Sequence, residues 1–369
     1  MYLKKIKLFN FKNYTEASLE FSEKINCFTG SNGEGKTNLL DAIHYLSFTK
    51  SYFNLLDNQN IRHNEDYFAI HGQFYRNGHA SDEVSCIQKR NQKKQFKLNT
   101  SEYDRLADHI GEFPLVMISP YDRDLINEGS ELRRKYMDSV ISQFDRLYLE
   151  DLLTYNKSLA QRNALLKSFA ENHYFDKSSL DIWTEKMAAP AARIYARRAV
   201  FINGFLPVFQ RYFEFISQGR EKVDVVHISD LAGCDFVTLL DENLQRDMAL
   251  RYTTKGIHKD DLDFIIDGYP VKKFGSQGQQ KSFVIAIKLA QFDYTDQVKG
   301  YKPILLFDDI FDKLDNNRVA QLVQLVGDNN FGQVFITDTQ PERINKIFEA
   351  NPIDHRIFEV KSGNVARII

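Results

Sequence analysis

The chain has 369 residues, of which 43% are hydrophobic and 27% charged, and its formal net charge is −2. This length is more than one simple core requires and predicts two or three subdomains. The near-neutral charge excludes a protein that coats nucleic acid with its whole surface, so a nucleic-acid partner would have to be bound by a local basic patch.

The N-terminal sequence, the lengths of the apolar stretches and the cysteine spacing indicate where the protein acts and which covalent or metal links it contains. No apolar stretch approaches the roughly 18 residues that span a bilayer, and the N-terminal sequence MYLKKIKLFNF lacks the long apolar region of a secretory signal. Cys27, Cys86 and Cys234 are widely spaced and form no C-x-x-C pair. We therefore expect a cytoplasmic protein with no membrane partner, no disulfide framework and no zinc site.

Residues 1–112 alternate short apolar runs with turns, which predicts strands around a glycine-rich loop. That loop, GSNGEGKT (30–37), follows the apolar run INCFTG and precedes the helical pattern NLLDAIHYL. It matches G-x-x-x-x-G-K-[ST], the phosphate-binding loop (P-loop) that joins a strand to a helix. The alternative is a plain glycine-rich turn, and the flanking strand and helix argue against it.

A P-loop of this kind predicts a nucleotide site with a metal ion. Glycines let the main chain wrap closely, so that amides from about Asn32 to Lys36 can point at phosphate oxygens near the positive end of the helix. Lys36 would bridge the terminal phosphates, and Thr37 would supply a hydroxyl to Mg²⁺. The expected nucleotide contacts are Gly30, Ser31, Asn32, Gly33, Glu34, Gly35, Lys36, Thr37 and Asn38.

The middle of the chain is strongly helical. Residues 144–169 and 182–216 carry apolar side chains at helical spacing, with expected interruptions at ENHYFDKSS (171–179) and Pro190. These patterns predict helices of moderate length. No heptad is sustained for long enough to build a long coiled-coil arm, so we expect a compact helical lobe.

A second helix start follows at FGSQGQQKSFVIAIKLAQFDY (274–294). Phe283, Ile287, Ala290 and Tyr294 recur at helical spacing behind a turn of small and polar residues. Amides at this turn and the Ser276 hydroxyl can bind another phosphate group, with Gln277, Gly278 and Gln279 as further contacts. An ordinary capped helix is the alternative, and the position of the turn before the acidic strand favours phosphate binding.

The sequence KPILLFDDIFDKLD (302–315) supplies an acidic strand. Ile304–Phe307 reads as a buried parallel strand, with Asp308 and Asp309 at its carboxyl end, where ligands bind in such sheets. Asp308 is the expected metal ligand, and Asp309 is placed to polarise the attacking water as general base, together with Lys36 as the second catalytic residue. An exchange of roles between the two aspartates fits the sequence as well, and simple capping of the next turn is the structural alternative.

Three basic clusters are candidates for nucleic-acid contacts. Each can also be a solvated face, since Lys and Arg commonly cover apolar surface without an anionic partner. No zinc finger, helix-turn-helix or aromatic stacking platform is present in the sequence, so contacts should be made to phosphates and be independent of base sequence. The clusters are Lys89, Arg90, Lys93 and Lys94; Arg133, Arg134 and Lys135; and Arg193, Arg197 and Arg198.

The order of GSNGEGKTNLL, GSQGQQKS, ILLFDD, DKLD and VFITDT resembles the ATP-binding-cassette (ABC) heads of SMC-like DNA repair ATPases. More narrowly, the chain is similar to the RecF family of bacterial recombination mediators over nearly its full length. The segments that carry this likeness are IKLFNFKNY (6–14), SPYDRDLINEGSELRRKYMD (119–138), YNKSLAQRNALLK (155–167), GIHKDDLDF (256–264) and KSFVIAIKLAQ (281–291).

The resemblance implies an α/β fold: an ABC-type P-loop ATPase head, with a mixed sheet and flanking helices, plus a mostly helical second lobe without a long coiled-coil arm. Lobe I would comprise residues 1–112 and 296–369, and lobe II residues 113–295, ending in the signature turn GSQGQQ (275–280). Transport-type cassettes place a histidine after the last core strand, where this chain has Asp338. A γ-phosphate-sensing role is therefore assigned to Thr337 rather than to Asp338.

The same resemblance implies the activity and partners. ATP with Mg²⁺ would close a homodimer, each nucleotide lying between the P-loop of one subunit and the signature turn of the other. The closed dimer would bind DNA at single-strand/double-strand junctions, and weak, DNA-stimulated hydrolysis would release it. The expected roles are gap repair, replication maintenance and the SOS response, with recombination mediator proteins as partners that load the recombinase.

Two other functions share the same motifs. A transporter ATPase subunit has a P-loop, a signature turn and an acidic strand, but the missing histidine and the segment 119–138 argue against it. A structural switch that binds ATP without meaningful turnover is the second alternative. Asp309 stands where transporters commonly have glutamate, and this difference leaves the structural switch as an alternative.

Overall fold

The computed structural model describes residues 1–76, 81–311, 316–327, 331–340, 348 and 353–368, so the DKLD segment at 312–315 lies outside the described residues. The chain forms two structural units. The first combines Met1–Asp122, Phe215–Gln218 and Lys281–Ile369, and the second combines Arg123–Glu214 and Gly219–Gln280. The first unit thus extends beyond the expected lobe boundaries at 112/113 and 295/296, because a strand after residue 112 joins its sheet.

The strands lie mainly in the N-terminal and C-terminal parts of the chain, on either side of a helical middle. They are β1 (Tyr2–Phe11), β2 (Tyr14–Glu20), β3 (Ile25–Thr29), β4 (Tyr67–Tyr75), β5 (Asp82–Lys89), β6 (Gln95–Leu98), β7 (Ser101–Glu102), β8 (Leu115–Ile118), β9 (Val223–Ile228), β10 (Asp261–Ile266), β11 (Tyr269–Pro270), β12 (Ile304–Phe307), β13 (Val334–Asp338), β14 (His355–Lys361) and β15 (Asn364–Arg367).

The helices are concentrated between residues 124 and 299. They are α1 (Lys36–Phe48), α2 (Asp124–Asn127), α3 (Ser130–Ser142), α4 (Arg146–Asn172), α5 (Lys177–Ser217), α6 (Phe236–Glu242), α7 (Leu244–Leu250), α8 (Val271–Phe274), α9 (Gln277–Lys299) and α10 (Asn316–Gly327). Single 3₁₀ turns lie at Asp57–Asn60, Leu106–His109, Pro120–Arg123 and Ile257–Lys259.

Two six-stranded sheets build the first unit. One is antiparallel, in the order β2-β1-β4-β5-β6-β7, and its strands alternate buried and exposed side chains, as expected for a sheet with one solvated face. The other has the order β15-β14-β3-β13-β12-β8, with parallel pairing from β14 to β8. Every residue of β3, β8, β12 and β13 is buried, which explains the continuous apolar sequences of β8 and β12 and the mostly apolar sequences of β3 and β13.

This parallel sheet places the sequence motifs side by side. The P-loop leaves β3, and the two aspartates leave β12, which is separated from β3 only by β13. Carboxyl ends of parallel strands meet at one sheet edge, so the loop and the acids converge there. The strands predicted before the P-loop and at 304–307, and the helices predicted after the P-loop and after the signature turn, are all observed.

The second unit is mainly helical, with a small sheet in the order β11-β10-β9. Its helices α4 and α5 are separated at residues 173–176, within the interruption expected from the sequence. The expected break at Pro190 is wrong, because α5 continues through Pro190 and Pro207 as a 41-residue helix. Burial of the apolar side chains of Met187, Ala191 and Ile194 on either side of Pro190 offsets its missing backbone hydrogen bond.

Among the residues that the structure describes, no helix combines the length and the apolar character that crossing a bilayer requires. The three cysteines are free thiols, of which Cys27 and Cys86 are buried and Cys234 is exposed.

Candidate functional site

The glycine-rich loop adopts a backbone that only glycine accommodates easily. Gly30, Gly33 and Gly35 have φ angles of 146°, 85° and 115°. A Cβ atom on Gly30 would lie 2.3 Å from the carbonyl oxygen of Val360 in β14, so the close contact between loop and strand also requires glycine. The loop ends in Lys36, the first residue of α1. Its amides therefore lie at the positive end of a 13-residue helix.

A pocket lies in the curve of this loop. Its lining residues are Asn32, Gly33, Gly35, Lys36, Thr37, Asn38 and Asp309. Six of the nine loop and helix residues expected to contact nucleotide thus line it. The other three, Gly30, Ser31 and Glu34, do not, and the Glu34 carboxylate instead accepts a hydrogen bond from the Ser362 amide.

The Lys36 side chain is held within the loop. Only 4% of the residue is exposed, and its ammonium donates hydrogen bonds to the carbonyl oxygens of Gly30 (2.7 Å) and Ser31 (2.9 Å). These bonds satisfy the buried ammonium and keep it beside the pocket. A phosphate in the pocket would offer the same ammonium a charge-assisted hydrogen bond, which is stronger than a bond to a neutral carbonyl.

Thr37 and Asp308 lie together at the sheet edge. The Thr37 hydroxyl donates to the Asp308 carboxylate, at 2.9 Å to Oδ1 and 3.2 Å to Oδ2. Burial raises the pKa of the Asp308 carboxyl to about 6, although the hydroxyls of Thr337 and Thr37 act in the opposite direction. The site thus holds a buried carboxylate beside a hydroxyl, both of them hard oxygen donors of the type that Mg²⁺ prefers.

Those two oxygens do not make a complete metal site. No group of three or more His, Cys, Asp and Glu side chains among the residues described here is arranged to hold a metal ion. Mg²⁺ is commonly bound by one or two protein ligands, with phosphate oxygens and water completing its octahedron. The residues present fit that pattern, with the raised pKa of Asp308 marking a carboxylate that a cation would stabilise.

Asp309 differs from its neighbour in both exposure and backbone. It lines the pocket and has a φ of 43°, a left-handed conformation that costs free energy in a non-glycine residue. Its backbone N–H donates to the Thr337 hydroxyl at 2.9 Å, and the same hydroxyl donates to Asp308 Oδ1 at 2.9 Å. The two aspartates therefore point in different directions and are suited to different roles.

Thr337 is the link between them. It is fully buried at the end of β13 and does not line the pocket. We expected it to sense the γ-phosphate, but its hydroxyl bonds Asp308 and Asp309 instead, so its observed position orients the acids. Asp338 is also buried, with Oδ1 accepting a hydrogen bond from the Gln340 amide at 2.8 Å.

The signature turn starts α9 with a reciprocal cap. The Ser276 hydroxyl accepts from the Gln279 amide at 3.2 Å, while the Gln279 side chain accepts from the Ser276 amide at 2.7 Å. This pair is a capping box, so the structure contains the ordinary helix cap that we considered as an alternative. The cap occupies two of the polar groups expected to contact phosphate. Ser276 is exposed, whereas Gln279 is half-buried and its side-chain amide also donates to Glu221 at 2.9 Å.

The basic cluster on α5 is largely paired with acids of the same unit. Arg193 binds Asp151 through two hydrogen bonds, and Arg197 binds Asp145 at 2.5 Å, leaving side chains that are 53% and 29% exposed. Arg198 is 1% exposed. The prediction that Arg198 contacts DNA is therefore wrong, since its guanidinium is buried in a network with Asp138, Asp260, Tyr148 and the Ile257 carbonyl.

The other two basic clusters also contain both exposed cations and cations that are buried or bonded to other residues. Lys89, Arg90 and Lys93 are exposed, whereas Lys94 is buried and donates to the Thr49 carbonyl and to Asp57. Arg133 forms two hydrogen bonds with Asp261, and Arg134 donates to the Asp260 carbonyl. Lys135 is exposed, with an ion pair to Glu131 one helical turn away. The exposed members of the three clusters are Lys89, Arg90, Lys93, Lys135 and Arg193.

Sequence reasoning missed two residues at the loop. Asn13 and Tyr14 both donate side-chain hydrogen bonds to P-loop carbonyls. The signal was present in IKLFNFKNY, a segment that carried the resemblance but received no role. Its contacts depend on packing of the β1–β2 turn against the loop after β3, which belongs to a different sheet, and local periodicity does not reveal such packing.

Comparison with known proteins gives consistent matches along the whole chain. The model of the RecF/RecN/SMC N terminal domain matches residues 2–360. The chain is 52% identical to the DNA replication and repair protein RecF of Flavobacterium johnsoniae, over 98% of this chain and 100% of that protein.

Two solved structures extend the comparison to the fold. The structure of the recombination mediator protein RecF-ATP in the RecFOR pathway superimposes with a TM-score of 0.90 at 30% identity, covering 100% of this chain and 98% of the other. The Smc head domain from Pyrococcus furiosus gives a TM-score of 0.59 at 16% identity, covering 100% of this chain and 96% of the other. These matches confirm the predicted ATPase-head fold with a helical lobe and no long coiled-coil arm.

Proposed function

The chain belongs to the RecF/RecN/SMC family and, within it, to the RecF DNA replication and repair proteins, and we propose on that basis that it is an ATP-switched DNA clamp of recombinational gap repair. ATP closes a homodimer on DNA, slow hydrolysis reopens it, and the bound protein helps mediator partners to load the recombinase in the cytoplasm. The observation that carries the proposal is the meeting of the P-loop with Asp308 and Asp309 at one sheet edge.

Nucleotide binding follows from the shape and charge of the loop. Amides at the start of α1 and the Lys36 ammonium face the pocket. Its lining of glycines and polar side chains offers no apolar side chain to a ligand, but it suits phosphate oxygens. A relative with 30% identity and a TM-score of 0.90 was solved with ATP, which supports ATP as the nucleotide here.

Thr37 and Asp308 would hold Mg²⁺, which neutralises phosphate charge when bound. In hydrolysis, Asp309 accepts the proton of the attacking water, since it lines the pocket while Asp308 lies against Thr37. Lys36 stabilises the charge that develops on the transferred phosphoryl group. The Thr337 hydroxyl fixes the peptide that carries Asp309, so the base and the metal-side acid are held in register.

Turnover is proposed to be weak and to be stimulated by DNA. Asp309 is a shorter base than glutamate, so a water has to be positioned by the closed dimer before proton transfer becomes efficient. A switch that binds ATP without meaningful hydrolysis remains the second candidate for the same reason. Measured ATP turnover with and without DNA separates the two.

Dimerisation is assigned to the signature turn. Ser276 caps the 23-residue helix α9, which begins with Gln277, Gly278 and Gln279. The exposed Ser276 and Gln277 are the residues of this turn most open to a second subunit. Binding of a phosphate held on the partner's P-loop would use the unfilled hydrogen-bonding capacity of this turn and the positive end of α9. Each closed dimer would then contain two composite sites.

DNA binding is assigned to exposed cations and not to the chain as a whole. With a net charge of −2, one subunit has no uniform positive field for DNA. Alignment of the exposed groups Lys89, Arg90 and Arg193 from two subunits on one phosphate backbone would raise affinity through the effective concentration of the second contact. Contacts to phosphates give a preference for DNA structure, here single-strand/double-strand junctions, rather than for base sequence.

The transporter alternative is not supported. Membership of the RecF proteins, at 52% identity over essentially the full chain, identifies a DNA replication and repair protein. The resemblance between the motifs of the two classes reflects their common ATPase fold, because nucleotide motifs belong to the head and not to the process that it drives.

The test is a salt titration of DNA binding with ATP, with ADP and without nucleotide. We expect the highest affinity with ATP, a steep decline with salt because counterions are released, and little change with base sequence. Lys36→Ala should abolish the ATP effect while the protein stays folded. Three superimposable curves for the wild type would refute the clamp.

A matched pair of variants locates the DNA-binding surface. Arg193→Gln with Arg197→Gln removes two charges from the α5 cluster, and Lys177→Gln with Lys186→Gln removes two exposed charges elsewhere on the same helix. If the cluster binds DNA, only the first pair lowers the slope of log affinity against log salt, by about 1 for each phosphate that is no longer neutralised. Equal slopes in both pairs would exclude the cluster.

A further inference from the structure

The turn between β1 and β2 lies directly against the P-loop. Phe11 and Tyr14 are the last paired residues of the two strands, so Lys12 and Asn13 form the turn itself. Lys12 has a φ of 53°, a left-handed conformation that costs free energy in a lysine. A strained turn persists only where its surroundings hold it, and here its contacts are with the loop and with α1.

Asn13 bonds the loop on one side and the helix on the other. Its side-chain amide donates to the carbonyl oxygen of Glu34 at 3.0 Å, and its side-chain oxygen accepts from the Asn38 amide group at 2.7 Å. The Glu34 carbonyl accepts a second bond, at 3.1 Å, from the backbone N–H of Gly363. Both acceptor positions of this carbonyl are therefore filled.

Tyr14 bonds the next carbonyl of the loop. Its hydroxyl donates to the Gly35 carbonyl oxygen at 3.0 Å, and the side chain is fully buried. Burial raises the pKa of Tyr14 above its usual range, which keeps the hydroxyl protonated and available as a donor. The fit leaves no space for a side chain on Gly35, since a Cβ there would lie 2.5 Å from the Asn13 amide and 2.9 Å from the Tyr14 hydroxyl.

Lys12 ties the same turn to the first helix. Its ammonium lies 2.6 Å from the carboxylate of Asp41 in α1, and the two side chains are 12% and 0% exposed. Asp41 also accepts hydrogen bonds from the Ser51 hydroxyl and the Tyr52 amide. The turn is thus fixed at three consecutive residues, each by a different polar contact.

The geometry of the peptide bond connects these contacts to phosphate binding. A peptide group is planar, with its carbonyl and its N–H on opposite sides. The carbonyl of Glu34 shares a peptide plane with the N–H of Gly35, and the carbonyl of Gly35 shares one with the N–H of Lys36. The Gly35 carbonyl also accepts from the Asn38 and Leu39 amides of α1, so Tyr14 and the helix fix it together. Holding the Glu34 and Gly35 carbonyls in these bonds turns the two N–H groups to the opposite side of each peptide plane, where Gly35 and Lys36 line the pocket.

We propose that Asn13 and Tyr14 are positioning residues of the nucleotide site, which orient the Gly35 and Lys36 amides toward the phosphates. This inference rests on the proposed function, since it assumes that the pocket binds a nucleotide. It assigns the turn a role toward phosphate and none toward the base. ATP, ADP and GTP should consequently depend on the turn to the same extent.

Calorimetric titration with ATP, ADP and GTP tests this role. Tyr14→Phe keeps the ring and removes only the hydroxyl, and Asn13→Ala removes both amide contacts. Each should weaken ATP and ADP binding about 3- to 10-fold, the factor that a net hydrogen bond carries, and leave the ATP/GTP ratio unchanged. Tyr45→Phe is the matched control, because it removes another buried hydroxyl of the same unit, which bonds Asp57, without touching the loop.

Asn13→Asp separates the two bonds of Asn13. Aspartate keeps the acceptor for Asn38 but cannot donate to the Glu34 carbonyl. If the carbonyl contact orients the loop, Asn13→Asp should bind ATP at least as weakly as Asn13→Ala. Wild-type affinity in Asn13→Asp would instead overturn the role of that contact.

Three outcomes distinguish the inference from the proposal beneath it. If Lys36→Ala loses ATP binding while folded Tyr14→Phe and Asn13→Ala retain wild-type affinity, the positioning role is wrong and the nucleotide site stands. If Tyr45→Phe weakens binding as much as Tyr14→Phe, the effect is general destabilisation and the positioning role is again wrong. If wild type itself binds no ATP, the nucleotide site and the positioning role both fall.

Discussion

The ammonium group of Lys288 lies 2.8 Å from the carboxylate of Asp122, and their side chains are only 7% and 4% exposed. Lys288 belongs to α9, and Asp122 follows β8, the strand beside β12 in the P-loop sheet. Asp122 also accepts hydrogen bonds from the Ser119 amide and the Tyr52 hydroxyl. The helix that begins at the signature turn is therefore joined to the nucleotide sheet by a buried ion pair whose carboxylate accepts two further hydrogen bonds.

Removal of one partner of this pair should be strongly destabilising. Lys288→Met keeps the length of the side chain but leaves the Asp122 carboxylate buried without its cation, so the free energy of unfolding should fall by about 3–5 kcal/mol. Urea denaturation of the purified variant measures the change. Lys177→Met breaks an exposed pair with Asp181 and should cost less than about 1 kcal/mol.

The double variant Lys288→Met with Asp122→Asn provides the internal check. Neutralising both groups removes the uncompensated charge, so it should recover part of the lost stability. A loss in Lys288→Met no larger than that in Lys177→Met would show that the pair contributes nothing beyond a surface ion pair.

Substitutions of Asp308 and Asp309 should have different effects on ATP binding and hydrolysis. Asp309→Asn preserves shape but removes the proposed base, so ATP binding should persist while the hydrolysis rate falls by roughly 10²–10⁴-fold. Asp308→Asn should instead weaken the Mg²⁺ dependence of ATP binding, because its carboxylate lies beside Thr37. Single-turnover hydrolysis and ATP titrations at graded Mg²⁺ measure the two effects. Normal turnover in Asp308→Asn together with an absent metal dependence in Asp309→Asn would reverse the assignment.

Ser276→Arg should block dimerisation without preventing nucleotide binding. The arginine adds bulk and charge at the exposed start of α9, where the partner's nucleotide is proposed to bind. Light scattering with and without ATP measures the dimer, and a titration measures ATP binding to the monomer. Ser276→Ala is the matched control for the cap, since it loses the bond from the Gln279 amide, at a cost of about 0.5–2 kcal/mol, without adding bulk.

The two substitutions give different results only if the turn faces another subunit. ATP-dependent dimers that persist in Ser276→Arg would leave the capping box as the whole function of the turn. Mixing Ser276→Arg with Lys36→Ala should rebuild at most one composite site per dimer, which half-maximal ATP occupancy in the mixed dimer would reveal.

A buried histidine makes the first unit sensitive to acid. Burial lowers the pKa of His109 to about 4, even though its bond to the Leu46 carbonyl and the nearby Glu112 act in the opposite direction. Its unfolded pKa is about 6.5, so between pH 6.5 and 4 the unfolded chain binds the proton more strongly. The contribution to stability is present above pH 6.5 and is lost as the pH falls through this window.

His109→Gln should therefore flatten the pH dependence of unfolding between pH 6.5 and 4, although its stability at pH 8 will be lower because the hydrogen bond to Leu46 is altered. Thermal unfolding at half-unit pH intervals measures the slope for both proteins. His173, which ends α4 on the surface of the other unit, supplies the control in His173→Gln. Parallel curves for wild type and His109→Gln would contradict the prediction.

The parts of the candidate site that could be predicted are those encoded by short contiguous motifs. The sequence GSNGEGKT specifies its own turn through three glycines with positive φ, and ILLFDD combines a buried strand with its acids. Parallel pairing then brings both to one edge whatever the intervening sequence is. The same locality explains why the start of α9 and the interruption before α5 were predicted at nearly the observed residues.

The errors concern partners that are distant in sequence. Arg198 has the same local pattern as Arg193, and only the fold shows that one guanidinium is buried against Asp260 while the other is half exposed. Pro190 normally ends a helix, yet tertiary packing of its neighbours keeps α5 intact. Likewise, the bond between Thr337 and Asp308 joins two strands, and no local pattern specifies it.

The order of strands around β3 has a consequence for biosynthesis. The strands on either side of β3 are β13 and β14, and a hydrogen bond joins Thr29 to Phe358, 329 residues later. At ordinary translation speeds β3 emerges from the ribosome roughly 15–65 s before this partner exists. During that interval both edges of β3 are exposed, and the P-loop has no fixed carboxylates opposite it. The nascent chain should accordingly depend on chaperones, and its nucleotide site should mature only after β13 and β14 have been synthesised.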